Sequence, residues 1–440
     1  MITQTATSRS ADLYARGLDV MPGGVSRNTV LRDPHPLYAA RGEGCRIIDI
    51  EGVSRIDFSN NMASLIHGHA CPEIVRAVTE QVARGTAFMM ATEAEVVFAE
   101  HLSARNPSFE KLRFVNSGTE ALMVSIKAAR AFTGRPKVAK VEGAYHGGYD
   151  WAEVSQSPSP ATWGSVERPA SVPLVRGVPE SALRDVVVIP FNDIERALAI
   201  LDLHADELAC VLLDLMPHRV GLKPADDEFA QALREWTERN GALLVLDEVI
   251  TFRSEFGGLQ DRYGLAPDLT ALGKIIGGGF PVGAIAGRAE VMDVMNPRSD
   301  RFVYPHSGTF SANPVSMCAG LAAMELFGPD AIARLNALTA RAMQGIDEAI
   351  ARTGAAACAT GGGSMFRVHM KAAPPRNFRD AYMTAEESAR LKALLDHLFS
   401  AGFVLINTCT ATFSTPMTEA EIDALVAAFE AGFEKISAMP

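Results

Sequence analysis

Between Leu112 and Gly287 the chain returns again and again to short aliphatic runs: LRFVNSG, KVAKVEG, DVVVIPF, LACVLLDLM, ALLVLDEVI and GAIAG. They are too short to be core helices. They also lack the polar–apolar alternation of a strand with one wet face, so they read as strands buried on both sides. Between them lie segments of helical periodicity, TEALMVSIKAARAFTG, DIERALAILDLHA and DDEFAQALREWTERNG. Strands interleaved with helices specify an α/β architecture, a mostly parallel central sheet covered by helices on both faces.

At 440 residues the chain exceeds what one hydrophobic core usually supports. After about Ala312 the strand–helix rhythm gives way to long helices (PVSMCAGLAAMELF, AIARLNALTARAMQGIDEAIARTG, ESARLKALLDHLFSAG, EIDALVAAFEAGFEKI) broken by short strands such as SMFRVHM and FVLIN. We therefore expect a large domain over 61–312, a smaller α+β domain over 313–440, and an N-terminal segment, 1–60, that joins the small domain. With 41 Lys and Arg against 52 Asp and Glu, the net charge of -11 disfavours nucleic acid or anionic membrane as a partner. The six cysteines form no CxxC pair, MITQTATSRSADLYARG lacks the apolar core of a signal peptide, and no window nears the roughly 18 apolar residues of a spanning helix. A cytoplasmic protein is expected, with no metal site.

Three features fall at the carboxyl ends of predicted strands, where open α/β sheets bind ligands. In VNSGTEA a strand turns at Ser117, Gly118 and Thr119 into a helix, whose free N–H groups and two hydroxyls suit an anion as well as a plain N-cap. LLVLDEV sets Asp247 and Glu248 at the end of a buried strand, where a carboxylate needs a partner or a proton. TALGKIIGGGFPVGA places one lysine, Lys274, among apolar and glycine residues with no carboxylate in the stretch. A lysine there either snorkels to water or is a desolvated nucleophile. Taken together, an anion cradle, a buried acid and a glycine-flanked amine are what pyridoxal phosphate requires for its phosphate, ring nitrogen and aldehyde. The phosphate-loop pattern GxxxxGK[ST] fails because Ile275 follows Lys274, and GxSxG, HExxH and a strand-following GxGxxG are absent. Among the histidines, His67, His69, His146, His218 and His306 are expected in pocket loops, with no metal-ligand spacing.

With these motifs in order, and with MPGGVSR, ARGEGCRIIDIEG, HGHACPEI, YHGGYD, HSGTFSANP and GGGSMF around them, the chain resembles the class III aminotransferases, pyridoxal-phosphate enzymes of fold type I. Within them it is similar to the branch of glutamate-1-semialdehyde aminomutase and the β-amino-acid (β-phenylalanine-type) aminotransferases. The resemblance implies Lys274 as the Schiff-base lysine and Asp247 as partner of the pyridinium nitrogen. It implies Val249 and Tyr145 on the two ring faces, His146 beside the cofactor, and Ser117, Gly118 and Thr119 on its phosphate. Thr309 would reach the phosphate of a neighbouring subunit, so a homodimer with sites at its interface follows. Arg27 matches the carboxylate-binding arginine of the β-amino-acid branch. The implied activity is transfer of an amino group from an amino acid, best guessed a β-amino acid, to a keto acid; an aminomutase, epimerase or decarboxylase of the same family is the alternative. Two departures bear on substrate. Asp214 of LDLMPHRVGL stands where the family usually has glutamate, followed by Arg219, either an anion contact or a solvated loop charge. The loop INTCTATFSTP lacks the arginine that β-amino-acid aminotransferases use for an α-carboxylate.

Overall fold

The computed structural model describes residues 8–437. Its central sheet has seven strands in the spatial order Lys111–Val115, Gly283–Gly287, Leu269–Gly273, Leu243–Asp247, Leu208–Leu213, Lys137–Val141, Val186–Ile189. Six run parallel; Gly283–Gly287 runs antiparallel between its two neighbours. The middle strands are buried along their whole length, as the aliphatic runs of Leu208–Leu213 and Leu243–Asp247 require, and Leu269–Gly273, with Thr270 in its interior, is buried with them.

Each face has its own cover. Helix Gly118–Thr133 lays Ala121, Val124 and Ala128 over Cys210, Leu212, Val245, Ala271 and Ile285. Helices Ile194–Asp202 and Asp227–Asn240 bring Ala197, Leu201, Phe229, Leu233 and Trp236 against Val211, Leu213, Leu244 and Leu246 on the other. Each fully buried aliphatic side chain contributes roughly 1.5–3 kcal/mol, so these two layers hold the strand ends rigidly in place. Asn313 caps the helix Pro314–Leu326 through N–H bonds from Val315 and Ser316.

Two smaller sheets lie elsewhere. Ala39–Glu43, Arg46–Asp49 and Ser54–Asp57 form an antiparallel sheet, joined in parallel by Phe403–Val404 from the other end of the chain. Cys358–Gly362, Met365–His369 and Thr410–Thr412 form the third, against which the long helix Pro329–Thr353 lies. Among the described residues no single helix is long and apolar enough to cross a membrane.

Candidate active site

Strand register decides which side chains meet. Successive strand residues point to opposite faces, so Asp247 leaves its strand on the face of Val245 and Glu248 on that of Leu246. Leu213 pairs with Leu246 in the adjacent parallel strand, which sets Asp214 beside Asp247 on the same face. On the other side Asp247 pairs with Ala271, and Lys274 follows that strand directly. Two acids and an amine thus meet at three adjacent strand ends, at the floor of an open cavity of about 400 Å³.

Asp247 is buried and held from two directions. His146 Nδ1 lies 2.8 Å from Oδ2, and the Val249 N–H donates to Oδ1 at 3.0 Å. Burial holds the His146 imidazole below its ordinary range although Asp247 pulls the other way. Its other ring nitrogen is buried without a partner. Asp214 accepts the Met216 N–H at 2.9 Å. Burial first, and then the neighbouring Asp247, raise its carboxyl well above the usual carboxylate range, which favours its protonated form. Burial likewise lowers the Lys274 ammonium, against the opposing pull of Asp247 and Asp214. Lys274 adopts φ 49°, a left-handed conformation uncommon outside glycine.

The opposite wall is the N-terminus of helix Gly118–Thr133. Ser117 Oγ accepts the Glu120 N–H at 3.1 Å, so its oxygen serves as the helix cap. The Gly118 and Thr119 N–H groups belong to the helix's first turn, which has no internal acceptors. Thr119 Oγ1 accepts the Gly148 N–H at 3.3 Å. Close approach is built into this wall: a Cβ on Gly118 would lie 2.7 Å from Val249 Cγ1, and one on Gly147, itself at φ 91°, 2.5 Å from Thr119 Oγ1. An unsatisfied helix N-terminus, an acid braced by histidine, a desolvated amine and glycines where any Cβ would intrude fit a phosphorylated, planar aromatic aldehyde.

Several expected residues lie elsewhere. Ser117, Gly118, Thr119, Tyr145, His146, Asp214, Asp247, Val249 and Lys274 all line the one cavity. Thr309 does not; it lines a separate, smaller pocket with Phe88 and Met90. Arg27 is exposed and donates to Asn61 Oδ1 at 2.7 Å, and Asn61 in turn lines the cavity. Of the five histidines expected in pocket loops only His146 lines the cavity. His67 bonds Thr415 and the Ala323 carbonyl, His69 pairs with Asp57, His218 bonds Thr408, and His306 accepts from Arg113. Glu248 points away from the cavity and accepts the Leu259 and Gln260 N–H groups at 3.1 and 2.8 Å, a structural role.

Two contributors carry weaker sequence signals. Asn60, Asn61, Met62 and Ala63 form a left-handed turn with four successive positive φ values and no glycine. The NN pair was its only herald, since asparagine tolerates this region better than most residues. Lys140, fully buried, donates to the Ala144 and Val154 carbonyls at 3.0 and 2.7 Å and so anchors the loop carrying Tyr145 and His146. Burial lowers its ammonium to about 7.

Fold and site together define a pyridoxal-phosphate enzyme of fold type I. The family model for aminotransferase class-III matches residues 29–431. The chain belongs to the class III aminotransferases. It is similar to an omega-transaminase from Sphaerobacter thermophilus, with 46% identity, TM-score 0.96 and 99% of each chain covered. It is also similar to a beta-phenylalanine aminotransferase from Variovorax paradoxus, with 34% identity, TM-score 0.85, and 98% of this chain and 94% of that one covered. Among curated relatives, a glutamate-1-semialdehyde 2,1-aminomutase of Desulforudis audaxviator is 40% identical over 437 residues, 97% of each protein.

Proposed function

We propose that this enzyme transfers an amino group from an amino acid, preferentially a β-amino acid, to a 2-oxo acid. The observation that carries the reading is the meeting of Lys274, Asp247 and the helix N-terminus at Ser117–Thr119 in one cavity. The bound cofactor supplies an aldehyde that links covalently to amines and an electron-withdrawing ring that stabilises negative charge on the adjoining carbon. The chain supplies the rest. Ser117, Gly118 and Thr119 hold the phosphate, and Asp247, fixed by His146 and Val249, faces the ring nitrogen. Val249 and Tyr145 confine the ring. Lys274 Nζ, its ammonium disfavoured by burial, would remove the proton from the amine-bearing carbon and return it on the cofactor side.

Arg27, at the rim through Asn61, binds the donor carboxylate, with Asp214 as a neutral polar contact nearby. The β-amino-acid preference has the support of Arg27 and of likeness to the Variovorax paradoxus enzyme. Thr309 serves the cavity of a second copy. Supporting a homodimer, Phe88, Met89, Met90 and Phe310 are 52%, 104%, 84% and 58% exposed, an apolar surface beside the Thr309 pocket.

The alternative is an intramolecular amino shift, favoured by the curated relatives that are named aminomutases. Single half-reactions distinguish the two. An amine donor without acceptor is expected to bleach the cofactor chromophore and release one equivalent of free carbonyl product, and Lys274→Ala to abolish this while retaining cofactor. Isomerised amine with no carbonyl product would establish the aminomutase instead.

A further inference from the structure

The loop that follows the cavity-lining Asp214 carries Arg219, and the strand bonded to that loop carries Arg367. Arg219 is half-buried on the loop after Asp214, and Arg367 is 5% exposed in the strand Met365–His369. Among the described residues neither guanidinium has a carboxylate within ion-pair distance. Arg219 Nη2 donates to Ser157 Oγ, and Arg367 Nη1 to the His218 carbonyl at 3.0 Å. In both side chains Nε is buried and unpartnered. Buried guanidinium groups normally find an anion, because an unsatisfied charged donor is costly.

The surroundings report the resulting field. The His218 imidazole, bonded to Thr408 at 3.0 Å, is driven down to about 3 by burial and then by Arg367, Lys274 and Arg219. His369 is driven to the same value by burial and then by Arg367. Burial lowers Arg367 itself to about 10, with Arg219 adding to the effect. Arg219 in turn feels the phenol of Tyr145, a cavity-lining residue. The bond from Arg367 to His218 ties the strand to the loop that leaves the cavity at Asp214, and among the described residues the two guanidinium groups have no carboxylate within ion-pair distance.

We propose that Arg219, backed by Arg367, is the receptor for the carboxylate of the 2-oxo acid acceptor. The assignment rests on the aminotransferase reading and deepens it. A planar, two-oxygen anion matches a guanidinium fork better than any other common metabolite group. The phosphate already has the helix N-terminus, and Arg27 engages a different wall through Asn61. The loop 406–416 carries no arginine, so the cation for the acceptor comes from the strand and loop bonded to it.

The test uses the holoenzyme with pyruvate and with pyruvamide, which replaces the carboxylate by a neutral amide. Arg219→Gln is expected to raise KM for pyruvate roughly 10–100-fold, the loss of one charge-assisted contact, with a far smaller change for pyruvamide. Arg219→Lys, which keeps charge but loses the fork, falls between. Equal effects on both acceptors, or none on either, would overturn the assignment. Wild-type enzyme that turns over no 2-oxo acid, and whose donor half-reaction yields no carbonyl product, would overturn the aminotransferase reading and this inference with it.

Discussion

Gly118→Ala tests the cofactor cradle where its geometry is tightest. The new Cβ would lie 2.7 and 2.9 Å from the two Val249 methyls, where carbon contacts are most favourable at about 3.5–4.0 Å. Val249 must retreat by roughly 1 Å. In the apoprotein it can swing into the open cavity, so stability changes little: overpacking costs about 1–3 kcal/mol when unrelieved, and alanine returns up to about 1 kcal/mol of helix propensity. With cofactor bound, the ring blocks that retreat, and the same 1–3 kcal/mol is charged to binding. Cofactor affinity is therefore expected to fall roughly 5–150-fold, with the apoprotein Tm nearly unchanged. Equilibrium dialysis of cofactor against wild type, Gly118→Ala, Val249→Ala and the double variant measures this. Val249→Ala removes both clashing methyls, so the double variant should bind no worse than Val249→Ala alone. If the two losses simply add, the steric argument is wrong.

Glu248 predicts a pH dependence of stability. Burial raises its carboxyl from 4.5 to about 7 despite bonds from Thr251, Leu259 and Gln260. The folded state holds this proton more tightly, so its contribution is full below pH 4.5 and is lost, by about 3 kcal/mol, as pH rises to 7. Urea midpoints should show Glu248→Gln gaining on wild type across that window; a constant offset refutes the assignment. For Thr309, mixing subunits of Thr309→Ala and Lys274→Ala should restore one intact site per dimer. Activity no higher than that of either parent would place Thr309 outside the partner's site.

Much of this was legible in the sequence because the chemistry sits at strand ends, and strand ends are easy to find. The runs leading to Asp214 and Asp247 form fully buried strands, whereas the run leading to Ser117 forms an edge strand buried only at Phe114 and Val115, so its expected burial on both sides does not hold. The run alone does not choose between Asp247 and Glu248; the resemblance chooses Asp247, and the structure sets the two on opposite faces of the strand. Direction was not legible: GAIAG carries nothing local to make it antiparallel, a choice set by pairing with Lys111–Val115 and Leu269–Gly273. Nor were the histidine positions, since His67 and His69 are claimed by Thr415 and Asp57 through tertiary contacts. In sequence Arg219 reads more readily as a solvated loop charge than as an anion contact; among the described residues it has no carboxylate within ion-pair distance and its Nε is buried without a partner.

The left-handed turn at Asn60–Ala63 also makes one wall of the cavity depend on distant parts of the chain. Of its four residues the two asparagines tolerate that conformation, but Met62 and Ala63 are disfavoured there by roughly 1–2 kcal/mol each, so the turn leans on its tethers. Its tethers are the Asp57 carboxylate, the Arg253 guanidinium on the Ala63 carbonyl, and the Thr412 carbonyl on Asn60, 352 residues further along the chain. The wall bearing Asn61 is therefore a long-range construction, braced by a strand 352 residues further along the chain rather than by its own neighbours.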